Sequence, residues 1–232
     1  MSDIAPSDAA TLGVLEAIRG RKSVRRFLSD PVEQETIRRI LSDAARAASG
    51  TNSQPWKVYV ATGAARERVC DAVIAAAKAG ETTQEYAYAP ERWWEPFQSR
   101  RRKVGYDLYA LMGIARDDKA GRFAQVLRNF ELFGAPVGLF FTMDKRWVYG
   151  SWIDLGLYMQ SVMLAARGYG LETCPQAAWL HHGRQVHDAL AIPDDEVLIS
   201  GMALGYADWS AKENSLRTER ADVDEFTTFL DT

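Results

Sequence analysis

Arg21-Lys22-Ser23-Val24-Arg25 and, one helix further on, Ser49-Gly50-Thr51-Asn52-Ser53-Gln54-Pro55-Trp56 are the stretches on which the reading of this chain turns. In an extended segment side chains alternate, so Arg21, Ser23 and Arg25 leave one face while Lys22 and Val24 leave the other. Arginine grips phosphate oxygens through paired N–H groups, and a serine hydroxyl adds a shorter bond. A phosphate monoester carries close to two negative charges at neutral pH, which calls for further cations. Close to the C-terminus, Asn214-Ser215-Leu216-Arg217-Thr218-Glu219-Arg220 supplies two of them, Arg217 and Arg220. In the second stretch Asn52 and Gln54 alternate in the same way, and Pro55 restricts the backbone around them. A carboxamide both donates and accepts, which matches the mixed edge of a pyrimidine-like ring. Each stretch alone is also what a solvated basic surface or an ordinary Asn/Ser/Gly turn contains.

Taken together, the three stretches suit a ligand with a phosphate at one end and a flat heterocycle at the other, a flavin mononucleotide. The chain has neither a glycine-rich Rossmann fingerprint nor a GxxxxGK[ST] loop, so side chains must hold the phosphate.

Composition narrows the class. The 232 residues are 47% hydrophobic, enough for a substantial core in one domain or two small ones. A net charge of -3 argues against a general nucleic-acid partner. Cys70 and Cys174 are the two cysteines, far apart, which rules out a disulfide framework and fits two buried thiols in a reducing compartment. No basic segment leads into an apolar run at the N-terminus, and no stretch approaches the roughly 18 apolar residues of a membrane span. The expectation is a soluble cytoplasmic protein without a membrane partner. His181, His182 and His187 cluster, but no cysteine or paired carboxylate completes a ligand set, so no metal is expected.

Periodicity predicts helices over 10–20 and from Asp30-Pro31 onward, the second with Pro31 in its first turn and Ile37, Ile40, Leu41, Ala44, Ala45 and Ala48 on its buried face. The turn at 49–55 ends it. Strands are expected at 56–60, 136–143, near Thr173 and at 196–203, with helices at 64–79 and 154–167. In the last of these, Leu155, Met159, Val162, Met163 and Ala166 form a deeply buried stripe, and Asp154 and Gln160 are buried positions bonded to backbone. Residues 81–127 read as a helical insertion within one domain spanning 1–232, with helices at 93–112 and 117–132. It mixes Tyr86, Tyr88, Trp93, Trp94, Phe97, Tyr106 and Tyr109 with Arg100, Arg101, Arg102 and Lys103. It reads equally as extra core or as a lid, with stacking walls for a flat substrate and cations for an anionic acceptor or the phosphate of NADPH. Helices outnumber strands, which makes an α+β fold with a small central sheet.

The two opening motifs resemble the signature of the FMN-dependent nitroreductase family. Phe133-Gly134-Ala135-Pro136, Asp154-x-Gly156 with Gln160, Gly170-Leu171-Glu172-Thr173-Cys174-Pro175-Gln176 and Gly205-Tyr206-Ala207-Asp208 resemble further family positions in the same order. The chain departs at Ala177-Ala178, where members often carry glycine. The resemblance implies a mostly antiparallel sheet surrounded by helices in an intertwined homodimer, with FMN at the two-fold interface. It places Arg21, Lys22, Ser23, Arg217 and Arg220 at the phosphate. Ser49, Asn52 and Gln54 fall on the ribityl and pyrimidine side, and backbone groups around Pro175, Gln176 and Ala177 near flavin N5. Arg25 falls near N1 and the C2 carbonyl, where it stabilises the reduced flavin; no side chain is assigned as the catalyst. Trp94, Phe97 and Tyr106 are the candidate substrate contacts. The implied activity is ping-pong transfer of hydride from NADPH or NADH to a small aromatic acceptor, a nitroaromatic or a quinone. Reductive dehalogenation, flavin fragmentation and a non-catalytic flavin-binding module remain open alternatives.

Overall fold

Val137-Gly-Leu-Phe-Phe-Thr-Met-Asp144 is buried along all but its last residue, because the strand it forms, β2 (Val137–Asp144), is covered on both faces. The protein is described by a computed structural model covering residues 12–230. Three further strands flank β2: β1 (Lys57–Ala61), β3 (Glu172–Gln176) and β4 (Glu196–Gly205), in the order β1-β2-β4-β3. Every ladder is antiparallel. Alternation along β2 separates two cores: Val137, Leu139, Phe141 and Met143 face one, Phe140 the other. A register shift between Phe141 and Thr142 is held by Glu196. Its buried carboxylate accepts from Lys57 Nζ at 2.6 Å, Tyr59 OH at 3.1 Å and Thr142 Oγ1 at 2.5 Å, tying three strands together.

Seven helices lie in the described residues: α1 (Val14–Gly20), α2 (Gln34–Ala44), α3 (Gly63–Ala79), α4 (Phe97–Leu111), α5 (Lys119–Phe130), α6 (Tyr149–Gly168) and α7 (Gly183–Leu190). α2 and α6 fill the core beneath Leu139 and Phe141, while α3, α5 and α7 cover Phe140. α4 buries none of its residues. No described helix is long and apolar enough to cross a membrane.

Several expected limits move. The first helix begins at Val14, and positions 10 and 11 lie outside the described residues. α2 starts at Gln34 rather than at Pro31 and stops at Ala44, because Ala45 turns to ψ -5°. Ala45 and Ala48 are therefore exposed in the following turn, and Leu41 is half-buried. α6 begins at Tyr149, earlier than its periodicity suggested. One stripe is buried as expected, apart from a half-buried Met159, but the opposite side exposes Tyr149, Ile153, Leu157 and Gln160. Asp154 is half-buried.

The end of β3 is fixed by a short 3₁₀ turn, Ala177–His181, whose Trp179 is fully buried. Its ring stands edge-to-face on Phe140 at 4.9 Å and on Phe130 at 5.5 Å. Gly201 leaves room for it: a Cβ there would lie 2.4 Å from Trp179 Cδ1. Overpacking of this kind costs about 1–3 kcal/mol. Gly201→Ala is therefore expected to lower Tm by several degrees, whereas Gly168→Ala, at the end of α6 with open space around it, does not lower Tm. Equal melting curves for the two variants would show that Trp179 yields freely.

Candidate functional site

α1 ends at Arg21, and the chain then runs beside β3. Ser23 pairs with Thr173 in a single parallel bridge, and the Val24 amide donates to the Thr173 carbonyl at 3.1 Å. Val24 is wholly buried, which locks this segment against the sheet. The tail beyond β4 is brought back onto it by Asn214, 2% exposed. Asn214 Oδ1 accepts from the Arg25 amide at 2.8 Å, and Nδ2 donates to the carbonyls of Arg26 and Asp208, both at 2.8 Å. Its own carbonyl accepts from Lys22 Nζ at 2.7 Å. Buried amides that lose such partners cost about 1–3 kcal/mol each, so the tail is firmly placed. In the sequence Asn214 heads the tail cluster with nothing local to mark this role.

The consequence is a cavity of about 430 Å³ lined by Arg19, Arg21, Lys22, Arg217 and Arg220 together with Ile18 and Gln160. No carboxylate lines it. Burial lowers the Arg21 pKa, and nearby Arg220 lowers it further. Burial does the same to Lys22, aided by Arg217. Behind the cavity, Arg167 and Glu172 form a buried ion pair. Burial pushes the Glu172 carboxyl up and Arg167 pulls it back. The lining is a set of crowded donors, the chemistry that receives a doubly charged anion.

Strict alternation does not hold here. Lys22 shares the cavity with Arg21, while Ser23 and Arg25 do not line it. A single bridge does not impose a pleat on the whole segment, and Lys22 is drawn across by the Asn214 carbonyl and the Trp209 ring, 5.4 Å away. Arg25 folds back, its guanidinium donating to the Ser23 carbonyl at 3.2 Å. It stays close enough to β3 to favour the thiolate of Cys174, although burial pushes that thiol up to about 11. Next to it stand Pro175 and Ala177, both partly exposed. The Gln176 side chain points the other way, into the core, where Nε2 donates to the Asn129 carbonyl at 2.6 Å and Oε1 has no partner.

The amide-bearing loop is built independently. Thr51, Asn52 and Gln54 have φ of 51°, 60° and 48°, left-handed values that cost a non-glycine residue about 1–2 kcal/mol each. Ser49 Oγ accepts from the Gln54 amide at 3.1 Å, and the Gln54 side chain donates to the Asn52 carbonyl at 3.1 Å. Asp154 on α6 accepts from the Gly50 amide at 3.3 Å. Strain of this kind concentrates at functional sites. Asn52 and Gln54 are exposed and do not line the arginine cavity. The two halves meet on α6, where Asp154 holds the loop and Gln160 lines the cavity, about 9 Å apart along the axis at 1.5 Å per residue.

The aromatic candidates divide. Trp94 and Phe97 form an exposed edge-to-face pair at 5.3 Å. Tyr106 instead lines a separate cavity between α4 and α5. The other side of α4 is tied to the tail by Arg100–Glu225 at 2.7 Å and Lys103–Glu219 at 3.4 Å. Among the described residues no His, Cys, Asp and Glu cluster is suited to a metal ion.

A model of the Nitroreductase family matches residues 18–206. A chloronitrobenzene nitroreductase of Comamonas testosteroni is 42% identical over 217 residues, covering 93% of this chain and 96% of the relative. A 4-nitrobenzoate reductase of Nocardioides sp. (strain LMS-CY) is 38% identical over 242 residues, with 99% and 98% covered. Among solved structures, the FMN and NADPH-dependent nitroreductase NfnB from Sphigopyxis sp. strain HMH superposes with a TM-score of 0.93 at 42% identity, covering 95% of this chain and 100% of the other. With the match running from Ile18 to Tyr206 and such relatives aligned along nearly the whole length, the chain belongs to the nitroreductase family.

Proposed function

We propose that this protein is an FMN-dependent reductase that takes reducing equivalents from NAD(P)H and delivers them to nitroaromatic acceptors, working as a homodimer in the cytoplasm. The observation that carries the reading is the convergence of Arg21, Lys22, Arg217 and Arg220 on one cavity free of carboxylates. The kinship with chloronitrobenzene and nitrobenzoate reductases supports the acceptor class.

When bound, FMN supplies the redox chemistry. The protein's part is to hold it and set its electrostatics. Arg21, Lys22, Arg217 and Arg220 bind the phosphate dianion and relieve their own mutual repulsion. Ser23 and Arg25 follow on toward β3, where Arg25 supplies a cation beside the ring and favours negative charge there. Pro175, the Gln176 backbone and Ala177 border the reacting edge, while Ser49, Asn52 and Gln54 hold the ring's polar edge.

In one chain the amide loop and the arginine cavity are separate, and both abut the uncovered side of α6 with its exposed Ile153 and Leu157. Val14, Leu15, Phe226, Phe229 and Leu230 are exposed as well, an apolar area that a monomer would leave in water. A second copy seated there completes the site, each ring edge being held by the partner's loop. The insertion at 81–127, with Trp94 and Phe97 exposed, serves as the lid over the acceptor. Cys70 and Cys174 are buried free thiols, as a reducing compartment allows.

Anaerobic mixing with NADPH should bleach the flavin absorption within seconds, and a nitroaromatic should then restore it. A flavin that stays oxidised would leave only a binding module. Arg21→Ala and Arg220→Ala should each weaken FMN binding at least tenfold, measured by quenching of FMN fluorescence, and undiminished binding in both would place the phosphate elsewhere. Mixing subunits tests the shared site. Refolding Arg21→Ala together with Gln54→Ala should recover FMN sites absent from either homodimer, since one site of each mixed dimer receives both native side chains. Absence of recovery would mean that each chain builds its site alone.

A further inference from the structure

Between α4 and α5 lies a cavity of about 630 Å³ that the flavin site does not use. Arg101, Arg102, Arg116 and Arg122 line it with Tyr106 and Tyr109, and no carboxylate does. Of the carboxylates near the cavity, Asp107 pairs with Lys103, Glu219 with Lys103 and Glu225 with Arg100, while Asp117 beside Arg116 is exposed, lies outside the lining and, among the described residues, forms no ion pair. Asp118 caps α5 by accepting from the Gly121 amide at 2.8 Å. Among the described residues none of the four arginines forms an ion pair.

Three of the four guanidinium groups rest over aromatic rings, Arg101 over Trp93 at 5.3 Å, Arg116 over Tyr106 at 5.6 Å and Arg122 over Tyr109 at 5.6 Å. Stacking orients each guanidinium in advance, so less side-chain freedom is lost when an anion arrives; Arg122 also donates Nη1 to the Arg116 carbonyl at 3.3 Å, which leaves its remaining N–H groups for a ligand. Four cations without counter-ions around one concavity repel one another, and that repulsion is relieved by a ligand carrying two or more negative charges. A single carboxylate answers one fork and leaves the others unmatched. The cavity lies within the range of about 300–1,000 Å³ typical of small-molecule sites, and its tyrosine faces suit a flat base.

We propose that this cavity receives the adenosine 2′-phosphate end of NADPH, and so makes the enzyme select the phosphorylated nicotinamide. The assignment rests on the reading of this protein as an NAD(P)H-dependent reductase. The phosphate that distinguishes NADPH from NADH is a monoester, close to dianionic at neutral pH. Arg116 and Arg122 grip its oxygens, Arg101 and Arg102 add the remaining charge, and the adenine lies against Tyr106 or Tyr109.

The test uses the FMN-loaded protein. Calorimetric titration with adenosine 2′-phosphate should give saturable binding that weakens steeply with salt, whereas adenosine binds at least tenfold more weakly. Arg116→Gln/Arg122→Gln should lower that affinity at least tenfold, with far-UV circular dichroism and flavin content checked in each sample. The ratio of kcat/KM for NADPH to that for NADH should fall by a similar factor. Arg102→Gln, the member without a stacking partner, should give a smaller change in the same direction. Unchanged adenosine 2′-phosphate affinity in the folded, flavin-loaded double variant would overturn the proposal. So would a raised KM for 4-nitrobenzoate with an unmoved nicotinamide ratio, which would assign the cavity to an anionic acceptor. Should neither nicotinamide reduce the flavin, the reductase reading fails by itself, and the calorimetry still decides whether the cavity takes a nucleoside phosphate.

Discussion

Five cationic side chains from two distant segments share one cavity, and like charges so placed push apart. What holds them is a neutral side chain, Asn214, buried between the basic segment and the tail and bonded to the backbone of Arg25, Arg26 and Asp208. The Lys22 ammonium adds a bond to the Asn214 carbonyl, so one of the repelling groups helps to fasten the tail that carries Arg217 and Arg220. Repulsion is thus built into the cavity, and on the proposed reading the phosphate dianion relieves it. Binding energy for a phosphate is gained with little reorganisation, because hydrogen bonds among backbone and amide groups have already fixed the donors.

α6 joins this phosphate end to the strained amide loop. Asp154 anchors the loop through the Gly50 amide, while Gln160 lines the cavity. One face of the helix is packed under the sheet through Leu155, Tyr158 and Val162, which makes it a rigid spacer. Its other face, with Ile153 and Leu157, is unfilled in one chain. On the proposed reading, the same helix that spaces the two ends of the cofactor also forms the seam between subunits. That arrangement makes cofactor retention and dimer stability one property rather than two.

Much of this was legible in the residues. The apolar run of β2, the buried stripe of α6 and the arginines at 21, 217 and 220 have local signatures: a continuous hydrophobic strand, a helical period, and charge next to hydroxyls. What stayed hidden depends on contacts between distant segments. Lys22 lines the cavity against its expected alternation because Asn214 and Trp209 draw it across. Asn214 itself looks like any polar residue at the start of a tail, and its importance comes from burial against a segment nearly two hundred positions away. Ala45 and Ala48 continue the apolar period of α2 in sequence, yet the backbone has already turned, since alanine satisfies a helical pattern without enforcing it. Gln176 has the right polarity for a ligand contact, but the Asn129 carbonyl captures its side chain. Arg101 and Arg102 stood out in the composition of the insertion, but Arg116 and Arg122 did not, because pairing them with tyrosines of α4 requires the two helices to pack.

The ionic state of the bound phosphate bears on all of this. The phosphate dianion of free flavin mononucleotide takes up a proton near pH 6 and becomes a monoanion. In a cavity lined by five cations and no carboxylate, a bound dianion is favoured and that protonation is pushed well below its ordinary value. Phosphorus NMR of the FMN-loaded protein, titrated from pH 8 to pH 5, should therefore show a phosphate resonance that barely moves. A resonance titrating with the midpoint of free flavin mononucleotide would mean that the phosphate stands in water, away from Arg21 and Arg220, and would contradict the account.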